Sequence, residues 1–535
     1  MKKSMRRGSV LSALVFVCGL LSSAVCYCQV GSSSTGQISL LDALQSTLAA
    51  HPVLRIQEQE VVNSRALKQQ ARGRFDAVLA SGFSQSRTNL PLSQFEKDQA
   101  ALIGITADHQ TINLTDFSLG ASKLYRSGVI IGPAFQATRT TDNFQTLPGA
   151  NLSNLSFQVI VPLLRGRGRE VVAAQETAAG IAVDASLLDL NQTISDLLAE
   201  TASRYWAAVA AQKNLEVVQG SEERGRTYVE NVEALIQAGR VPQAEINQVQ
   251  ANLSDRSAER IAAEQGAIEA RQQLALAMGL PADQMATVGG PFESFPRADV
   301  SASMPVDAGA IQKLFVLALQ RRADLLASQK RESEAQTLLV AARNQTRPQV
   351  DLSFNTGYTG LAEGAGFSKI FQSPFRNAQG PDLFGGITYR FPPSNNVARG
   401  QLLQAQASLR QAELRTLEIS RATMATVGAA AQGVHNAVLA LAKAREAVTA
   451  FQAALDGERE KYRLGVGSLV DILTVEDRLT VALRAQVNAE LSYALALARL
   501  RAATGTIIEP DKPVQSVDGN VFLSPPAISA AKEKP

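Results

Sequence analysis

The chain has 535 residues, long enough for several ordinary domains, with 45% hydrophobic but only 5% aromatic residues and a formal charge of +3. Ala, Leu, Gln, Glu and Arg crowd the stretches after residue 170, a composition of long helices rather than of a string of globules. Four cations, Lys2, Lys3, Arg6 and Arg7, open the chain; without them the balance falls to about −1, and the basic excess that would suggest nucleic acid as a partner is gone.

Those cations, the apolar run Val10–Leu21 and the small residues around Ser22–Cys28 predict a secretory signal over residues 1–28. The apolar run is too short to span a bilayer, and no later stretch reaches the roughly 18 apolar residues that a transmembrane helix needs. The three cysteines, Cys18, Cys26 and Cys28, all fall in or beside this signal, so the exported body has no disulfide framework. Cys26 or Cys28 is a candidate lipidated first residue, but neither has the usual Leu three places upstream, which favours ordinary cleavage.

A helical segment opens near residue 49 and closes at Ala71-Arg72. A weak strand follows over Val78–Arg87, and Phe117–Arg139, with a turn at Arg126-Ser127-Gly128, reads as a further hairpin. Leu155, Phe157, Val159 and Val161 alternate with polar residues before Pro162. No proline then occurs until Pro242, and Ile194, Leu198, Tyr205 and Val209 recur at helical spacing, predicting a helix from Glu170 to Gln237 on the order of 100 Å long. The second half repeats the plan. A helix covers about 320–343, and strands follow at Val350–Tyr358 and Leu383–Phe391. A second long helix runs from Val397 to Arg463, with Gly180, Gly220, Gly433 and Gly457 as sites for bends in the two.

The repetition is in register. "AGRVPQAEINQVQANL" (238–253) matches "LGVGSLVDILTVEDRL" (464–479) at an offset of 226, which pairs Gly239 with Gly465, Glu245 with Asp471 and, 40 residues on, Gly279 with Gly505. Upstream, "AAHPVLRIQEQ" (49–59) and "QRRADLLASQK" (320–330) correspond at an offset of 271. The surplus in the first copy falls mostly between Ala71 and Pro162, where the extra hairpin lies. The chain thus divides into a signal (1–28), a first repeat (29–281), a linker (282–306), a second repeat (307–505) and a disordered tail (506–535) rich in proline.

Each strand is about as long as a tilted transmembrane β-strand needs to be. A sheet in lipid must close, because an open edge leaves backbone groups unpaired. Four strands cannot close a barrel, but three copies of four give twelve, so trimerisation follows if the strands span the membrane. The fold class expected is mainly α with a transmembrane β-barrel portion: duplicated long helical hairpins plus about four strands per chain, assembling as a trimeric barrel and α-helical tunnel. Whether the 117–139 hairpin enters the barrel or folds beside it is left open. So is the blander reading of a coiled-coil scaffold.

The chain resembles the TolC-like outer-membrane efflux proteins from Ile38 to about Thr506. The markers are "ISLLDALQSTLAAHPVL" (38–54), "VPLLRGRGR" (161–169), "RYWAAVAAQKNLEV" (204–217), "AGRVPQAE" (238–245), "LALAMGLP" (274–281) and "YRLGVGSLVDIL" (462–473). The resemblance implies a homotrimer in outer-membrane lipid that takes its cargo from an inner-membrane pump through a periplasmic adaptor. It also implies a gate at the periplasmic tips. There Asp471 falls on a constricting carboxylate that would form an acidic ring in three copies, and Tyr462 and Glu245 fall on positions that latch the closed state. The pattern departs at Gly467, where the family's latch has a basic residue, and at Thr474, where it has a second carboxylate; Arg240 and Arg463 are candidate substitutes. Gly239, Arg240, Val241, Pro242, Leu464, Gly465, Val466, Gly467 and Ser468 would form the turns that an adaptor grips. The alternatives are a solvated carboxylate favoured by a helix N-terminus and a tight helix–helix connection.

Nothing suggests an enzyme or a cofactor. His51, His109 and His435 are too far apart for a metal site, and no P-loop, GxSxG or paired-His motif stands in a usable setting. The competing function is a periplasmic helical scaffold or adaptor without pore activity.

Overall fold

The computed structural model describes residues 37–144, 149–298, 308–364, 366, 368–508 and 517–526. The signal expected over 1–28 lies outside them, as do residues 299–306 of the expected linker and residues 509–516 and 527–535 of the expected tail. In chain order the first half comprises α1 (Leu40–Ala50), α2 (Pro52–Gly73), β1 (Val78–Pro91), α3 (Gln94–Leu102), β2 (His109–Leu124), β3 (Ile130–Asp142), β4 (Ala150–Pro162), α4 (Arg169–Val172), α5 (Ala174–Gln237), α6 (Glu245–Ala277) and α7 (Ala282–Met285). The second half comprises α8 (Ala308–Arg321), α9 (Ala323–Gln345), β5 (Gln349–Glu363), α10 (Ser368–Gln372), β6 (Asp382–Arg390), α11 (Asn396–Arg463) and α12 (Leu469–Ala503).

Helix α5 has 64 residues and α11 has 68, roughly 95 and 100 Å at the α-helical rise. Gly180, Gly220, Gly433 and Gly457 lie inside these helices without ending them. Each glycine costs about 1 kcal/mol against alanine, and packing along the flanking helices outweighs that local cost. Helix α5 packs on α2 and α9 along one part of its length and on α6 and α12 along another, while α11 packs on α9 and α12.

The two offsets of the duplication meet at one structural joint. Gly279, just past α6, lies against His51, the N-cap of α2; a Cβ there would sit 2.5 Å from the His51 Cα, and φ is +72°. In the second repeat Gly505, just past α12, lies against Arg321, the last residue of α8, and Arg322, the N-cap of α9, with φ +64°. Each copy thus stacks a hairpin's return helix end to end with the helix that leads to the strands, and only glycine fits the joint.

The main core surrounds the middle of α5. Tyr205 and Trp206 are fully buried there against Leu40 and Leu44 of α1, Leu274 of α6 and Ala498 of α12. The 282–306 segment is not a loose connection where it is described: Ile38 pairs with Pro291, and Phe295 lies 5.8 Å from the Trp206 ring. Part of the tail expected to be disordered is packed as well. Phe522 is fully buried in the same core, and Arg501 donates hydrogen bonds to the Ser524 carbonyl oxygen at 3.0 and 3.1 Å.

The strands form one antiparallel sheet in the order β1-β2-β3-β4-β5-β6. To the four expected strands the 117–139 hairpin, whose place the sequence left open, adds two: as β2 and β3 it stands between β1 and β4 and pairs with both. The β4–β5 pairing, from Ala150↔Glu363 to Pro162↔Asp351, joins the two repeats into a single wall. Strands β1 and β6 are its free edges, and Leu79, Phe83, Leu383, Ile387 and Tyr389 stand exposed on one face of them. Among the described residues no helix is long and apolar enough to cross a membrane.

Candidate functional site at the helical tips

Both tips close by the same hydrogen bonds. In the first, the amides of Gly239 and Arg240 donate to the carbonyl oxygens of Ile236 and Leu235, each at 2.9 Å. In the second, those of Gly465 and Val466 donate to Tyr462 and Lys461, each at 3.0 Å. These are the positions that the offset of 226 pairs, so the repeated sequence encodes a repeated turn. Val241 and Gly467 are half-buried, whereas Gly239, Arg240, Pro242, Leu464, Gly465, Val466 and Ser468 are exposed. The tips are neighbours: Val232 and Val249 of the first hairpin and Leu469 and Leu473 of the second form one small core, with Tyr462 packed against it.

Asp471 is exposed and closes a capping box at the start of α12. Its Oδ2 accepts from the Ser468 hydroxyl at 2.7 Å and the Ser468 amide at 3.3 Å, and its own amide donates to Ser468 Oγ at 3.1 Å. A helix start of this kind holds the carboxylate in place on the surface. Burial pushes the Tyr462 hydroxyl above its usual pKa, and the nearby Glu245 carboxylate adds to the effect. Glu245 itself is half-buried at the first turn of α6. Arg463 pairs within its own helix with Glu460 at 2.6 Å, while Arg240 stays exposed beside the cleft between the tips.

Sequence reasoning missed the strongest polar feature here. Glu476 of α12 is completely buried, yet it carries a carboxylate. It pairs with Arg224 of α5 and lies 3.6 Å from the Arg459 guanidinium of α11, which also donates hydrogen bonds to the Tyr228 hydroxyl oxygen at 3.0 and 3.2 Å. Next to it, Arg256 of α6 donates to the Ser221 carbonyl at 2.9 Å and to Asp477 at 2.9 Å. Charged groups thus tie the two hairpins together just behind their tips. Above them lies a cleft of about 830 Å³ lined by Arg224, Tyr228, Arg240, Arg459, Tyr462 and Leu469. The signal was available: Glu476 follows Ile472 and Leu473 and precedes Leu479 and Thr480 at helical spacing, which puts it on the buried stripe.

A sheet with an apolar face, two unpaired edges and helical hairpins near 100 Å long is a combination that known proteins share. Residues 141–280 match the family described as outer membrane efflux protein. The Pyoverdine export outer membrane protein OpmQ of Pseudomonas putida is 24% identical over 337 residues, covering 62% of this chain and 67% of the relative. Outer membrane protein TolC of Escherichia coli is 22% identical over 392 residues, covering 71% and 77%. The chain is similar to the TolC-like outer-membrane efflux proteins. Its fold agrees: the outer-membrane channel OprN superposes with a TM-score of 0.62 at 17% identity, covering 89% of this chain and 91% of that one. The Campylobacter jejuni CmeC outer membrane channel superposes with a TM-score of 0.63 at 14% identity, covering 89% and 87%. These similarities place the protein in the outer membrane, extending into the periplasm, and support a part in efflux.

Proposed function

We propose that three copies of this chain assemble into an exit duct that takes cargo from an inner-membrane pump through a periplasmic adaptor and is gated at the helical tips. The observation that carries this reading is the union, in one chain, of an apolar-faced sheet with two unpaired edges and hairpins roughly 100 Å long. The sheet must close in lipid, and identical copies supply the missing strands. The hairpins, too long to be needed by a globular core, then continue the wall as a tunnel.

At the gate, three Asp471 carboxylates around the axis repel one another and attract cations, while Glu245 and Tyr462 stand at the latch between the tips. The exposed turn residues Gly239–Pro242 and Leu464–Ser468 are the surface offered to the adaptor. The test is purification in detergent and reconstitution into planar bilayers: a trimer with discrete conductance steps is expected. A detergent-independent monomer without conductance would favour the periplasmic scaffold instead.

A further inference from the structure

In a membrane barrel each strand must show lipid one face and the lumen the other, at the same height as its neighbours. A set of apolar cross-strand pairs runs on one face through all six strands. Phe83 pairs with Phe117, Leu119 with Phe135, Phe135 with Leu155, Val159 with Phe354, and Leu352 with Ile387, all on one face. The opposite face carries Ser84, Asp116 and Thr138 at the matching register, with Asp116 accepting a hydrogen bond from the Thr138 hydroxyl. A hairpin lying in water beside the wall has no reason to keep this register.

The turn of that hairpin is also built into the joint where strands give way to helices. Arg126 makes a two-pronged ion pair with Glu176 near the start of α5, at 2.6 and 2.7 Å, and its guanidinium lies 4.8 Å over the Phe75 ring. The Gly168 amide donates to the Ser127 carbonyl at 3.0 Å, and Gly128, with φ +97°, lies so close to the Gly166 carbonyl that a Cβ would sit 2.1 Å from its oxygen. The hairpin is thus fixed in the wall at its base as well as along its length.

We propose that three copies close into an eighteen-stranded wall in which the β1 edge of each copy pairs with the β6 edge of the next, leaving a membrane lumen wider than twelve strands would give. This rests on the trimeric duct proposed above. With strands about 4.8 Å apart and tilted about 40°, eighteen strands give a backbone diameter of roughly 36 Å and twelve roughly 24 Å. The two hydrophobic edges have only one partner that satisfies both at once in lipid, a second copy of this chain.

The experiment is electron cryo-microscopy of the full-length protein, extracted from outer membranes into nanodiscs. A ring of eighteen strands is expected. A trimeric ring of twelve with the hairpins outside the wall would overturn this inference and leave the duct standing, whereas particles without a closed ring would overturn both. Single cysteines at Leu119 and Ser118 give an independent readout in a background whose three native cysteines are replaced by alanine. In membranes Leu119→Cys should resist a water-soluble maleimide and Ser118→Cys should react at least tenfold faster; equal reactivity would place the hairpin in water and overturn the inference.

Discussion

Glu476 carries a charge into a place that water does not reach. Its carboxylate is held by Arg224 and faced by Arg459, so removing it leaves two guanidinium groups beside an empty acceptor site. Breaking a buried pair from one side costs about 3–5 kcal/mol, and because Arg224 and Arg459 keep 32% and 41% of their side-chain surface exposed the low end applies here. Glu476→Ala should therefore lower stability by about 3 kcal/mol in thermal or denaturant unfolding and raise the leak conductance in bilayers, because the tips lose the tie behind them. Asp471 behaves differently, since it is exposed and its structural task is the capping box. Asn also accepts hydrogen bonds at a helix start, so Asp471→Asn should leave the unfolding midpoint nearly unchanged while raising leak conductance or weakening cation block. Unchanged conductance and block would reject Asp471 as a gate. Asp471 stood out in the sequence by the repeat that pairs it with Glu245 and by the family resemblance, whereas Arg224, one guanidinium partner of Glu476, comes from a helix more than 200 residues away.

Among the elements, the segment around Glu293 makes the clearest pH-dependent claim. Burial raises the Glu293 pKa above the ordinary 4.5, its acceptance of a hydrogen bond from the Leu40 amide works the other way, and the Asp42 charge adds to the rise. A group whose folded-state pKa is raised contributes fully below its unfolded value and loses that contribution as pH rises through the folded value. The attachment of this segment to α1 is accordingly stronger near pH 4 than at pH 7. Glu293→Gln should raise the melting temperature at pH 7 and change it much less at pH 4; an equal effect at both would show that the carboxyl does not titrate with folding. The same segment shows how far periodicity reaches. The ends of α5 and α11 were legible because prolines and glycines punctuate them, but the docking of Pro291, Phe295 and Phe522 on the core has no period to betray it.

For the whole molecule, the apolar face of the sheet is the property that decides where it sits. Ile387 lies on that face, 70% exposed, on the β6 edge strand. A cation at the bilayer midplane costs about 2–4 kcal/mol, so Ile387→Arg should lower the yield of folded protein in lipid vesicles and the heat resistance of the assembled oligomer in detergent. Thr388, on the opposite face, should accept the same change with little effect. Equal losses at the two positions would show that the faces are not divided between lipid and lumen.

By itself, the sequence determined the duplication, the lengths of the long helices and the turn glycines, because each is written in local punctuation or in a repeat at constant offset. Only the tertiary structure decided that six strands share the sheet and that Glu476 joins the hairpins. In β2 the apolar positions change from Ile112 and Leu114 on one face to Phe117 and Leu119 on the other, which blurs the two-residue period that marks the remaining strands. Strand partners and buried ion pairs are chosen between residues far apart in the chain, and a pattern that repeats every two or every 3.6 residues has no means of recording which distant segment lies opposite.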